Sequence, residues 1–206
     1  ERFTRKKHDP SFPVNSIKYC LSFAKINLSD VDKITFYEDP SLKYSRLIKT
    51  YKDFFPKSIS LIFKTFYKWS TKKRFWKRIL IKEFKKNFNN ELSDSLFYNT
   101  EHHLSHAASA FYPSKFSHSA VLVMDGVGEF ATTSIWKGSK NNLRLIKQID
   151  FPHSIGLLYS AITYYTGFRV NSGEYKVMGL APYGKPVYKE KILKNLININ
   201  PDGTYE

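Results

Sequence analysis

Three histidines lie within five residues in the run Glu101-His102-His103-Leu104-Ser105-His106-Ala107-Ala108-Ser109-Ala110-Phe111. If a helix begins near Glu101, His102 and His106 share one face a turn apart and can chelate a single metal ion, while His103 points elsewhere. Spacing alone equally allows a polar helix start whose histidines are hydrogen-bonded or solvated. Downstream, the apolar run Ala120 to Met124 ends in Asp125-Gly126-Val127-Gly128-Glu129. There a carboxylate stands at a strand end, before two glycines that permit close approach of backbone to an anion. A lone Asp-Gly turn is more often only a hairpin. A third stretch, Asn171-Ser172-Gly173-Glu174-Tyr175-Lys176 through Met178-Gly179-Leu180-Ala181-Pro182-Tyr183-Gly184, mixes glycines with an acid, a base and two tyrosines, as ligand-contacting loops do. A surface ion pair between Glu174 and Lys176 is the plain alternative. Finally, Arg2, Arg5, Lys6, Lys7 and His8 crowd ahead of Asp9-Pro10. Such a cluster can grip phosphate or carboxylate, or form a solvated basic loop.

The elements that must position these residues read as a mixed α/β chain. Ser16 to Phe23 is expected to be helical, with Ile17, Cys20, Leu21 and Ala24 as its apolar stripe, and Ile34 to Tyr37 reads as a strand. Ser29-Asp30 is expected to cap a short turn. From Leu42 to about Phe97 lysines alternate with aromatics, and two basic amphipathic helices are expected over 59–69 and 74–88. Aromatics among lysines can stack on bases or sit at a membrane interface, but an amphipathic insertion packing its aromatic face on a core needs no partner. Ser119 to Met124 reads as a buried strand, Thr132 to Trp136 as its return, Lys137 to Asn142 as a turn and Leu143 to Ile149 as a further strand. Ser154 to Gly167 and Tyr188 to Ile199 read as helices.

The chain of 206 residues suffices for one packed domain or two small ones, and its formal charge of +15 is high for that length. A solvated lysine-rich face is preferred over nucleic acid or an anionic membrane surface. A single cysteine, Cys20, excludes an intrachain disulfide framework and fits a reducing compartment. No run approaches eighteen apolar residues and no signal-peptide core opens the chain, so a cytoplasmic setting without a transmembrane segment is expected.

Taken together, Glu1-Arg2-Phe3-Thr4-Arg5-Lys6-Lys7-His8-Asp9, His102 to Phe111, Asp125-Gly126-Val127-Gly128-Glu129 and Ser172 to Gly184 resemble the O-carbamoyltransferases of the nodulation and antibiotic-tailoring type. The resemblance covers nearly the whole chain and is least specific over 42–97. It implies an α/β fragment of a domain like actin, the sugar kinases and the heat-shock ATPases, with 42–97 as a basic aromatic helical insertion. Residues 1–206 would be part of the amino-terminal domain. A carboxy-terminal domain forming carbamoyl-adenylate would lie beyond them.

The resemblance also implies chemistry. Carbamoyl phosphate and ATP give carbamoyl-adenylate, and the carbamoyl group moves to a hydroxyl of a sugar-like small molecule or saccharide acceptor. His102 and His106 match the family's metal-binding histidines, with iron or another divalent metal. Asp125 would seat the metal-nucleotide unit directly or through water, and Lys7 would contact the carbamoyl or phosphate group. Glu174 and Lys176 match active-site loop residues, and Arg5, Gly126, Gly128 and Gly173 match positions near the nucleotide. The family's phosphate loop and acceptor-deprotonating histidine are expected before Glu1 and its third metal ligand, an aspartate, after Glu206, so the fragment is expected to be inactive alone. The rival expectations are another metal- and nucleotide-dependent kinase or phosphohydrolase of the same superfamily, or a basic module binding nucleic acid or a membrane surface.

Overall fold

The computed structural model describes residues 2–60, 62, 65 and 76–206. The chain divides into two compact units, one of residues up to 44 with 48–100, the other of 45–47 with 101–206. Both helices and sheets are present, so the fold is mixed α/β.

In the first unit, helix α1 (Val14–Ala24) is followed by a short 3-10 turn and strand β1 (Ile34–Phe36). The expected stripe on α1 is partly overturned: Ile17 packs toward the core, whereas Cys20 is exposed. Helix α2 (Pro40–Asp53) starts where Asp39 accepts the Ser41 N–H at 2.8 Å, with Pro40 supplying a φ already suited to the first turn. Helix α3 (Trp76–Phe88) and strand β2 (Phe97–Asn99) complete the unit, and β2 pairs in parallel with β1, Ile34 opposite Phe97. Phe84 lies edge-on to both Phe12, at 5.1 Å, and Phe97, at 5.9 Å. Aromatics of the lysine-rich stretch thus share one apolar core with the amino-terminal segment. Residues 61, 63, 64 and 66–69 of the expected 59–69 helix, and 74 and 75 of the next, lie outside the described residues.

The second unit begins with helix α4 (His102–Phe111), which packs against a sheet ordered β3 (His118–Met124), β4 (Ala131–Ser139), β5 (Asn142–Asp150). All neighbours are antiparallel, with Val121 opposite Trp136 and Lys137 opposite Arg144. Ala107 and Phe111 of α4 bury Val121, Val123 and Trp136 beneath them. The Phe111 ring sits where a side chain on residue 138 would stand, and glycine there lets helix and sheet close up.

Two expectations are corrected here. Ser119 to Met124 is not buried on both faces: Leu122 and Met124 are 57% and 60% exposed, because α4 covers only the face carrying Val121 and Val123. Lys137 to Ser139 is not a turn, since β4 runs through Ser139 and only Lys140 and Asn141 separate it from β5. Helix α5 (Ile155–Tyr165) is capped by Ser154 and followed by Gly167 at φ +84°. Then come α6 (Glu174–Leu180), a 3-10 turn, and α7 (Lys189–Asn195), shorter than the Tyr188 to Ile199 span expected. Among the described residues no helix is long and apolar enough to cross a membrane.

Candidate metal centre and adjoining cavity

Helical periodicity brings His102 and His106 together as the spacing requires, their Nε2 atoms 3.0 Å apart. The end of β3 adds a carboxylate: Asp125 Oδ2 lies 2.8 Å from His102 Nε2 and 3.8 Å from His106 Nε2. The three ligand atoms all fall within 4.8 Å of one another. Ligands about 2.1 Å from one ion stand about 3.0–3.4 Å apart at octahedral or tetrahedral angles, so these separations bracket what a common ion asks for. Two neutral imidazoles and one carboxylate also form a donor set suited to a divalent transition metal. Asp125 supplies the charge. His102 beside it holds its carboxyl at about 2 against the opposing effect of burial, and the Gly126 N–H, 2.6 Å from Oδ1, adds to the effect.

His103 plays a different part. It is 2% exposed, and its Nδ1 lies 2.7 Å from Ser134 Oγ, which also accepts the Trp136 Nε1–H at 2.8 Å. The hydroxyl keeps a second lone pair and its own proton, so it can partner His103 Nδ1 in either tautomer. Burial pushes the His103 imidazolium down from its ordinary value, favouring the neutral ring. A neutral anchor under α4 fixes the helix rotation that turns His102 and His106 toward Asp125.

The Asp125–Glu129 loop is tied on several sides. Asp125 N–H donates to Thr132 O and Gly128 N–H to Ala131 O, both at 2.9 Å. The Ser154 hydroxyl donates to Gly126 O at 2.6 Å while accepting the Leu157 N–H, so one side chain caps α5 and holds the loop. The Gly126 N–H donates to Asp125 Oδ1 within the loop and the Gly128 N–H to Ala131 O at the start of β4. Glu129 is 5% exposed, and both its oxygens lie 3.0 Å from the His102 N–H.

Beside this cluster an open cavity of about 660 Å³ is lined by Asp125, Gly126, Gly156, Ser160, Asn171 and Glu174, among others. The Glu174 carboxylate accepts the Asn171 N–H at 2.8 Å, the Ser160 hydroxyl at 3.0 Å and the Gly173 N–H at 3.2 Å. These donors, the Asn171 amide first, lower its pKa. Gly173 is buried, with no room for a Cβ against Arg169 O and Phe168. Lys176 stands exposed on α6, while Arg5 and Lys7 are exposed residues of the first unit.

Sequence reasoning named His102, His106, Asp125 and Glu174, which the structure places in the cluster or along the cavity, but passed over His103, Ser134, Ser154 and Ser160 as site residues, and did not assign Glu129 a task. Glu129 had a signal in its place in the acidic glycine turn, and Ser154 had one as the first residue of an expected helix. Residues 1–206 match the family model described as carbamoyltransferase N-terminus. The chain belongs to that family. It is 53% identical to an uncharacterised protein of Synechocystis over 207 residues, covering all of this chain and 34% of the relative. It is 34% identical to the nodulation protein NolNO of Sinorhizobium fredii over 205 residues, covering all of this chain and 28% of the relative. The nodulation protein NolO of Bradyrhizobium diazoefficiens is 36% identical over 104 residues, half of this chain and 19% of the relative. The chain therefore spans about a third of the length of the first two.

Proposed function

We propose that this chain is part of the amino-terminal domain of a carbamoyltransferase that moves a carbamoyl group from carbamoyl-adenylate, made from carbamoyl phosphate and ATP, to a hydroxyl of a sugar-like or saccharide acceptor. The convergence of His102, His106 and Asp125 beside an open cavity whose largely apolar wall carries Ser160, Asn171 and Glu174, in a chain of this family, supports the reading. The domain is of the actin, sugar-kinase and heat-shock ATPase kind, with 42–97 as its insertion, and works with a carboxy-terminal domain that makes the adenylate. Its setting is cytoplasmic.

His102, His106 and Asp125 hold a divalent metal, iron being the first candidate. Such an ion supplies positive charge that stabilises negative charge developing on phosphate as AMP departs. The chain's own residues do the rest. Asp125 stays ionised across the neutral range, so its carboxylate is available to the ion beside the Nε2 atoms of His102 and His106. Glu174, Ser160 and Asn171 give the cavity acceptors and donors that suit the hydroxyls of a polyol. Gly126 shapes the cavity wall, while Gly128 and Gly173 let their loops pack closely. Lys7, Arg5 and Lys176 offer positive charge to the carbamoyl or phosphate group. In the transfer, the acceptor oxygen bonds to the carbamoyl carbon, the carbon–oxygen bond to phosphate breaks, AMP leaves with the electron pair, and the hydroxyl proton passes to a base.

Metal content and AMP release by the full-length polypeptide test this. Stoichiometric metal lost in both His102→Ala and His106→Ala, together with AMP release that requires carbamoyl phosphate and acceptor, is expected. ADP release independent of carbamoyl phosphate would replace the reading with a kinase or phosphohydrolase of the same superfamily.

A further inference from the structure

We infer that Glu129 is a positioning residue that sets the metal affinity of the centre by clamping the backbone of His102 against the loop that carries Asp125. The inference rests on the metal reading above and assigns a role to a residue outside the ligand set. It starts from an unusual cap. The first N–H groups of a helix lack partners within it, and the residue at the amino-terminal cap normally supplies one. Here Glu101 occupies the cap position with no side-chain capping bond. The His102 N–H, at the first helical position, is taken by Glu129, 27 residues away in sequence, with both carboxylate oxygens at 3.0 Å. A buried carboxylate at the positive end of α4 is well matched to the helix dipole.

The consequence lies in what this cap is attached to. Asp125 and Glu129 stand at the two ends of one five-residue loop, closed by the Asp125–Thr132 and Gly128–Ala131 hydrogen bonds. Both acids grip the same residue, Asp125 through the His102 ring and Glu129 through its backbone amide. Between them Gly128 lies so close that a Cβ would come 3.1 Å from His102 Cβ and 3.2 Å from His103 Cδ2. The loop is therefore a three-point clamp on the first turn of α4, and the distance between the histidine pair and Asp125 depends on it. Ligand sets held in place before the ion arrives bind more tightly than those that must be ordered by it, and losing a partner that orients a ligand typically costs about 10–100-fold in affinity.

A merely stabilising helix cap and a positioning clamp predict different things, and a relocated cap separates them. The measurements are zinc and manganese affinity by calorimetric titration, thermal midpoint, and hydrogen exchange of the metal-free His102 amide, in the full chain. Glu129→Ala is expected to weaken metal binding about 10–100-fold and to speed that exchange, with Glu129→Gln, which keeps one acceptor oxygen, falling between. Glu101→Ser combined with Glu129→Ala restores a local cap without the tie to the loop. It is expected to recover the thermal midpoint but not the affinity. Recovery of affinity together with stability, or Glu129→Ala and Glu129→Gln binding within about twofold of the parent chain, overturns the clamp. A parent chain that takes up no metal overturns the metal reading itself, and the role of Glu129 with it.

Discussion

Asp125 is an acid held in its charged form by the His102 ring and the Gly126 amide, and that bias is measurable as stability. Its pKa is depressed on folding from 3.8 to about 2, so its contribution is complete above the unfolded value and is lost as pH falls through the window between the two. Because the side chain is 32% exposed, solvent screening reduces the contribution to about 1 kcal/mol. Urea unfolding of the parent and Asp125→Asn chains should therefore differ by about that amount near pH 5 and converge near pH 2. A difference that does not change with pH would mean that the charge is not what the neighbours favour. The glycines around the same carboxylate divide by what stands above them. At Gly156 a methyl would overlap the Asp125 carbonyl, which is backbone and cannot step aside. Gly156→Ala is expected to cost about 1–3 kcal/mol in chemical unfolding, and Gly128→Ala, facing His102 and His103 side-chain carbons at 3.1–3.3 Å, clearly less.

At the scale of elements, α4 owes its place to two contacts of different character. Phe111 is buried against Gly138, so Phe111→Ala should open a cavity worth about 3–5 kcal/mol and lower the thermal midpoint accordingly. Ser134→Ala removes a far smaller volume but strands the Trp136 N–H and a buried His103 nitrogen, at about 1–3 kcal/mol. If the polar pair matters as a rotation lock for the helix, metal affinity will fall in Ser134→Ala by more than in a Phe111→Leu variant of equal stability.

These elements also show what a sequence can disclose. The histidine pair was legible because two residues four apart must share a helix face. Its meeting with Asp125 was not, because a hairpin and a helix on the sheet are needed to bring residue 125 to residues 102 and 106. The apolar run of β3 misled for a related reason: Ser119 to Met124, mostly small or branched residues, looks the same whether one face or both are covered. Helix α2 did carry a local signal, Asp39-Pro40-Ser41, but the lysines and tyrosines after it masked the apolar period. Strand β2 has three residues, too few for any period, and exists because Phe97 pairs beside Ile34.

The three candidate ligands all lie on one side of the chain's division into two units. His102, His106, Asp125 and the groups that fix them, His103, Glu129, Ser134 and Ser154, all belong to the stretch 101–206. What that stretch lacks from its own unit is 45–47, including Arg46, whose guanidinium lies 5.5 Å from the centre of the Phe151 ring. A cation over an aromatic face contributes about 0.5–2 kcal/mol, small against a sheet closed by α4 on one side and tied on the other by the Thr133–Tyr205 hydroxyl pair at 2.6 Å and the Lys147–Asp202 ion pair at 2.8 Å. The centre should therefore survive separation from the first unit. Residues 101–206 produced alone are expected to fold with a slightly lower thermal midpoint and to bind manganese or zinc within about threefold of the full chain. Tyr205→Phe in that fragment should remove about 1 kcal/mol without changing metal affinity, since the hydroxyl pair lies on the sheet rather than in the ligand set. A folded fragment with affinity reduced by orders of magnitude would give the first unit a direct part in shaping the centre, and the basic residues Arg5 and Lys7 would then be the first to substitute.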